Sequence, residues 1–275
     1  MGKITTLIAL SCSLFTATAA FAQNTSLAQG AKYTALGSSF AAGPGVPAQL
    51  GTCGRSDKNY SNIVATALGL TLTDASCSGA TTDHILHTPQ GDSPLQINSV
   101  SRDTALVTVT IGGNDINYTS STFACAGKAA SERCTANLDR AMISAAVEQL
   151  PGKLEATLDA IKAKAPQATI VVVTYPRVFP TDATSCSELA LSDEDIAYLA
   201  DLGQKLEVAF VNVAAKKQSL IADSYVLAAG HGPCDTVSER WVNGANVADT
   251  GIRFHPTAEG HQEMARLVLA ALGRN

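Results

Sequence analysis

Tyr33-Thr-Ala-Leu-Gly-Ser-Ser-Phe-Ala-Ala-Gly43 is a short apolar run that breaks abruptly into small residues around Ser38 and Ser39. An apolar segment ending in Gly-Ser-Ser reads as a buried strand that delivers a hydroxyl to the carboxyl edge of a sheet. In open α/β sheets that edge is where ligands bind. One of these serines is therefore a candidate nucleophile, provided that the rest of the chain supplies a base and an oxyanion site. Without them the stretch is a polar turn and Ser39 a helix N-cap.

Outward from this run, two more β-branched stretches stand out, 105–111 and 169–174. With 34–36 they are short, apolar and followed by Gly, Pro or Asn, as expected of strands buried on both faces. Weaker strand candidates are 72–75 and 224–227. Helical periodicity lies between them over 62–68, 138–164, 193–218 and 257–272. Pro151 is expected to divide the second of these helices, and Ser192 and Asp195 open the third in capping-box spacing. Strands alternating with helices predict a mostly parallel sheet covered on both sides. Two long cysteine-bearing loops, 113–136 and 179–191, are where an enzyme would shape a cleft.

The first 22 residues read as a leader: Lys3, an apolar stretch over 4–15, and Ala20-Phe21-Ala22 as a small-x-small cleavage pattern. The apolar part is short for a membrane span, and Cys12 is poorly placed for a lipid anchor. A single domain over 23–275 is expected, with no stable membrane insertion and a secreted (extracellular or periplasmic) location. The chain carries 19 basic and 24 acidic residues, a net charge of −5, and loss of Lys3 makes it one unit more negative. That balance argues against a nucleic-acid partner. Beyond Cys12, the cysteines Cys53, Cys77, Cys125, Cys134, Cys186 and Cys234 are even in number, which in an exported chain implies disulfides. Their spacing gives no zinc-type cluster, so no metal is expected. Nor does any phosphate-cradling loop call for a nucleotide, and no cofactor is expected. Asn24, Asn59 and Asn117 fit the glycosylation pattern, which matters for a eukaryotic source.

Four segments now fall into order: Gly37-Ser38-Ser39-Phe40-Ala41-Ala42-Gly43, then Ser76-Cys77-Ser78-Gly79-Ala80-Thr81-Thr82, then Ile111-Gly112-Gly113-Asn114-Asp115, and finally Phe254-His255-Pro256. All lie at expected strand ends or helix starts, where one sheet edge gathers them. This ordered set resembles the SGNH (GDSL-type) hydrolases, secreted disulfide-containing bacterial esterases and lipases among them, over nearly the whole mature chain. The resemblance implies a three-layer α/β/α sandwich with a flavodoxin-like, mostly parallel sheet, and hydrolysis of carboxylic esters or related acyl groups.

Carried over by motif, the resemblance makes Ser39 the nucleophile and His255 its base. Ser39 through its backbone N–H, Gly79 and Asn114 become the oxyanion donors. A hydroxyl needs such a base near neutral pH, glycine lets backbone approach closely, and an amide donates without bringing charge. Asp115 is read as a structural hydrogen-bonding acid. The chain departs from the family pattern twice: Ser38 stands where Asp is usual, and Ile252 stands where the His-orienting Asp is usual. A Ser39–His255 dyad is expected, with the Ile252 or Arg253 backbone carbonyl holding the imidazole and Asp249 as the alternative. Of the five histidines, His84 and His87 are expected on a polar turn and His261 at a surface or half-buried helix position, with His231 the competitor to His255. The resemblance also implies sequential disulfides, Cys53–Cys77, Cys125–Cys134 and Cys186–Cys234.

The expected protein is thus a monomeric serine esterase or lipase acting on small-molecule or lipid esters, with phospholipase or polysaccharide acetyl esterase as alternatives. Another class is a carbohydrate-binding or surface-recognition module that kept the fold and lost catalysis. A single tryptophan and 5 % aromatic content weigh against sugar platforms. Loops 123–135 and 179–191 are candidate acyl-pocket walls.

Overall fold

The apolar run forms strand β1 (Lys32–Gly37), in a computed structural model that describes residues 27–125, 128, 132–247 and 249–274. The expected leader over 1–22 lies outside the described residues. After β1 come the one-turn helix α1 (Ser39–Ala42) and a small antiparallel hairpin of β2 (Gln49–Leu50) and β3 (Arg55–Ser56). Then follow β4 (Thr71–Asp74), β5 (Thr104–Thr110), β6 (Thr169–Val173) and β7 (Leu220–Ala222). These four join β1 in a five-stranded sheet of order β4-β1-β5-β6-β7, with every neighbouring pair parallel. The order reverses between β1 and β5. Such a reversal opens a crevice beyond the strands' carboxyl ends, and Ser39 and Asn114 follow those two strands.

Successive strand side chains face opposite sides, and here both sides are buried. Tyr33, Ala35, Leu106, Val171 and Val173 pack with α2 (Tyr60–Leu68) and α8 (Ala258–Ala271). Leu36, Val107, Val109, Ile170 and Val172 pack on the opposite side, with the Leu150, Leu154, Leu158, Ile161 stripe of α5 (Arg140–Lys164) and with α6 (Asp193–Lys216). The result is the α/β/α sandwich, and burial on two faces is why these strands read as unbroken apolar runs. At about 1.5–3 kcal/mol for each large side chain taken from water, this packing is the main term holding the layers.

Three local expectations need correction. Pro151 does not divide the helix: α5 runs through it, because the leucine stripe on both sides is anchored in the core and outweighs one lost backbone bond. The expected strand at 224–227 is helix α7 (Ser224–Leu227), capped by Asp223, which accepts from Val226 N–H; the strand is the preceding Leu-Ile-Ala of β7. His84 lies in α3 (Thr82–Leu86), completing a capping box with Thr81, and is not on a turn. His87 is the residue that ends this helix. The loop 113–136 contains α4 (Tyr118–Cys125) and a 3-10 turn over Cys134–Asn137. Asn59 is fully buried, donating to Ala42 O and Asp74 Oδ2, so its sequon is not a surface acceptor.

Gly37 ends β1 at φ +152°, and a Cβ there would stand 2.5 Å from the Thr110 carbonyl oxygen and 2.8 Å from Ala41 Cβ. The turn after β1 can therefore lie against β5 only if this residue has no side chain. We expect Gly37→Ala to cost about 3 kcal/mol, from overpacking and backbone strain together. Gly91→Ala, at φ +59° in open space, should cost about 1 kcal/mol. Chemical denaturation of both variants checks this, and equal losses would contradict it.

Candidate active site

The turn after β1 is held from three directions. Gln96, buried and remote in sequence, clamps the Gly37 peptide on both sides: Gly37 N–H donates to its Oε1 at 2.8 Å and its Nε2 donates to Gly37 O at 2.9 Å. Ser38 N–H donates to Thr110 O at 3.0 Å, tying the turn to β5. The Ser38 hydroxyl is fully buried and hydrogen-bonds Tyr175 Oη at 2.7 Å. Tyr175, just past β6, also accepts from Gly113 N–H and packs against Phe40, its ring tilted by 36° with centroids 4.2 Å apart. Burial holds its phenol well above its usual pKa, so it stays protonated and can donate. Ser38 thus occupies a structural position, and Ser39 begins α1.

His255 Nε2 stands 2.8 Å from Ser39 Oγ, across 216 residues of sequence. Its Nδ1 is 2.8 Å from the Arg253 carbonyl oxygen. A carbonyl can only accept, so Nδ1 carries the proton and Nε2 presents a lone pair to the serine O–H. Arg253, not Ile252, supplies this contact; the Ile252 carbonyl accepts from the His255 backbone N–H at 3.2 Å. Asp249 is exposed, and among the described residues no hydrogen bond joins it to His255.

The backbone around His255 is fixed by a short antiparallel bridge between Val242 and Pro256. Asn243 N–H donates to His255 O at 3.0 Å, Phe254 N–H to Gly244 O at 3.1 Å and Thr257 N–H to Trp241 O at 2.9 Å. The buried Asn243 amide donates to Thr250 O at 2.7 Å and to Ile252 O at 3.3 Å, shaping the loop that presents the Arg253 carbonyl. Phe254 sits at φ +56°, uncommon for a bulky residue and tolerated where surrounding contacts over-determine it.

Gly79 and Asn114 flank the same edge. The Gly79 loop is pinned by Cys77 N–H to Gly37 O at 3.0 Å and by the Cys53–Cys77 disulfide. Asn114 Nδ2 donates to Ala80 O at 2.9 Å, joining this loop to the end of β5. That bond uses one amide hydrogen and leaves the second for a ligand. Asp115 accepts from Thr82 N–H at 3.0 Å and from Thr82 Oγ1 at 2.6 Å, and so fastens α3 beneath the site. The other disulfides join Cys125 to Cys134 and Cys186 to Cys234.

Burial pushes His255 down to about 4, opposed in part by its bond to the Arg253 carbonyl. Phe40 and Phe123 flank the ring, at centroid distances of 4.7 and 5.6 Å. His261 is fully buried instead of surface or half-buried, because its Nδ1 accepts from Tyr60 N–H at 3.2 Å and its ring fits against the end of α1 at Gly43. Burial and the nearby His255 push it down to about 3. His231 does not compete: its ring stacks on Trp241 at 4.2 Å, and its Nδ1 bonds to Glu239 O at 2.7 Å.

Gln96, Tyr175 and Asn243 are absent from the sequence-derived set. Each acts through backbone geometry that no local motif announces; the Tyr-Pro after a β-branched run was the one visible cue, since it marks a strand end at the same edge.

The family model of the GDSL-like lipase/acylhydrolases matches residues 35–263. "Lipase 2" of Streptomyces coelicolor is 32 % identical over 254 residues, spanning 88 % of this chain and 85 % of that protein. The crystal structure of an extracellular lipase from Streptomyces rimosus superposes with a TM-score of 0.74 at 29 % identity, covering 88 % of this chain and 99 % of the other. A phospholipase A1 from Streptomyces albidoflavus superposes with the same TM-score of 0.74 at 26 % identity, with coverage of 88 % and 99 %.

Because His261 takes up its proton far more readily when unfolded than when folded, its contribution to stability is intact above the unfolded value of about 6.5 and is lost as pH falls below it. Between pH 6.5 and 5 one such proton is worth about 2 kcal/mol. His261→Asn keeps an acceptor for Tyr60 N–H and removes the titration. Thermal melts at pH 7 and pH 5 should show a smaller acid loss for this variant than for the native chain; identical losses would contradict a neutral buried His261.

Proposed function

The chain belongs to the GDSL-like lipase/acylhydrolase family and is a carboxylic ester hydrolase, and we propose that it works through an acyl-enzyme on Ser39 with His255 as the base. The observation that carries this reading is the 2.8 Å contact between Ser39 Oγ and His255 Nε2, with Nδ1 held by a carbonyl. Ser39 attacks the ester carbonyl while Nε2 takes its proton. The developing oxyanion is met by the Ser39 and Gly79 N–H groups and by the second Asn114 amide hydrogen. His255 then protonates the departing alcohol, and a water activated by the same nitrogen releases the acid.

The orienting group is the neutral Arg253 carbonyl. It fixes tautomer and ring orientation as a carboxylate would, and it stabilises the imidazolium less. Burial outweighs the upward pull of that hydrogen bond, so the imidazole stays neutral and able to accept a proton well into the acid range.

Three disulfides and the likeness to an extracellular lipase support a secreted protein cleaved after the leader over 1–22. Among the described residues no helix is long and apolar enough to cross a membrane. The likeness to a phospholipase A1 favours lipid esters within the substrate class. A recognition module without catalysis is disfavoured by an undistorted Ser–His contact beside free oxyanion donors. A monomer remains our expectation.

Turnover of p-nitrophenyl butyrate tests this. Ser39→Ala or His255→Ala should reduce kcat by about 10³-fold or more, and Asn114→Ala by about 10²–10³-fold. Hydrolysis by Ser39→Ala at the native rate would refute the mechanism. The acid limb of kcat/KM should lie well below 6.5, toward 4, since activity is lost only when His255 gains a proton. A limb at 6.5 or above would contradict the buried, carbonyl-supported base.

A further inference from the structure

Three rings lie beside His255 in space or sequence, and they differ in exposure. Phe40 and Phe254 are each 2 % exposed, whereas Phe123 is 40 % exposed. Helix α4 buries Tyr118, Ser121, Thr122 and Cys125, and its last residue is tied to Cys134. Phe123 lies off that buried face and is not needed to anchor the helix. Its ring nevertheless stands 5.6 Å from the imidazole, tilted by 32°, and meets Phe254 edge-on at 6.5 Å. A large apolar side chain left partly in water, on a helix pinned by a disulfide and pressed against a buried histidine, is a surface shaped for an apolar ligand.

The chemistry says which part of the ester meets it. In the proposed mechanism, on which this inference rests, His255 Nε2 protonates the departing alcohol, so the alcohol oxygen comes within hydrogen-bond reach of the imidazole. In the same mechanism the carbonyl oxygen is held by Gly79 and Asn114. Whatever is attached to the alcohol oxygen therefore lies on the imidazole side of the site, where Phe123 is the exposed one of the two aromatic rings that face His255. We propose that Phe123 is a specificity-determining platform for the alcohol portion of the substrate, favouring esters whose alcohol carries hydrocarbon, as a glyceride does. Phe123 also shields the base from water, so the same residue contributes to keeping His255 neutral.

Two ester series separate the alcohol from the acyl portion: acetates of straight-chain alcohols from methyl to hexyl, and methyl esters of straight-chain acids from acetate to hexanoate. Straight-chain alcohols differ little as leaving groups, so their ratios report contact and not reactivity. Phe123→Ala should lower the hexyl-to-methyl ratio of kcat/KM about tenfold, the worth of a few methylenes partly removed from water. The acyl-length ratio should be the same as in the native enzyme. Phe123→Leu, which keeps an apolar surface and the fold, should fall between. The acid limb of kcat/KM should move upward in Phe123→Ala as water reaches His255, a change that a bulk effect on folding would not produce. An unchanged alcohol ratio, or a change confined to the acyl series, would overturn the inference while leaving the acyl-enzyme mechanism standing. Native turnover no faster than that of Ser39→Ala would overturn the mechanism and this inference with it.

Discussion

The hydrogen bond between Ser39 and His255 joins the first strand of the sheet to the loop before the last helix, 216 residues apart. Nearly everything else at the sheet's carboxyl edge serves to hold those two side chains at 2.8 Å. On the serine side a glycine with no room for a Cβ lets β1 turn sharply against β5, and the Gln96 amide locks that turn from both faces. On the histidine side an antiparallel bridge and the Asn243 amide shape a loop whose carbonyl meets Nδ1. Buried hydrogen bonds of this kind add little net stability when made, and they are costly to leave unmade, so they specify a geometry more than they strengthen the fold.

Two departures from the family's usual residues have a common physical answer. Where the family's pattern has Asp before Ser39, Ser38 turns inward to Tyr175, so a neutral hydroxyl pair anchors the turn. Where Asp would orient the histidine, a backbone carbonyl does so. The second change leaves a buried imidazole without a negative charge at Nδ1. A carboxylate would raise its proton affinity; without one, desolvation dominates and holds the ring neutral. As the proposed base, His255 gives up some stabilisation of its imidazolium and stays unprotonated further into acid.

The sheet was legible because its strands are buried on both faces and therefore appear as continuous β-branched runs, as in β5 and β6. The weakest strand was misplaced for the complementary reason: β7 has three residues, and the more β-like Tyr225-Val226 beside it is drawn into a helix turn by the Asp223 cap. Pro151 misled because a local rule was outweighed by a packed stripe of leucines. At the site, Ser39, Gly79, Asn114 and His255 were readable as short motifs at strand ends and helix starts. Gln96, Tyr175 and Asn243 were not, because their role is to meet backbone atoms distant in sequence. The burial of His261 was hidden in the same way, since its partner is a backbone N–H at the start of α2.

Ser39, and not its neighbour Ser38, is the residue we propose becomes acylated. Treatment with a p-nitrophenyl alkylphosphonate, followed by fragmentation of the labelled peptide in a mass spectrometer, tests it most directly. One phosphonyl group per chain is expected, located on Ser39, with labelling slowed severely in His255→Ala. A label on Ser38, or on a serine outside this turn, would contradict it.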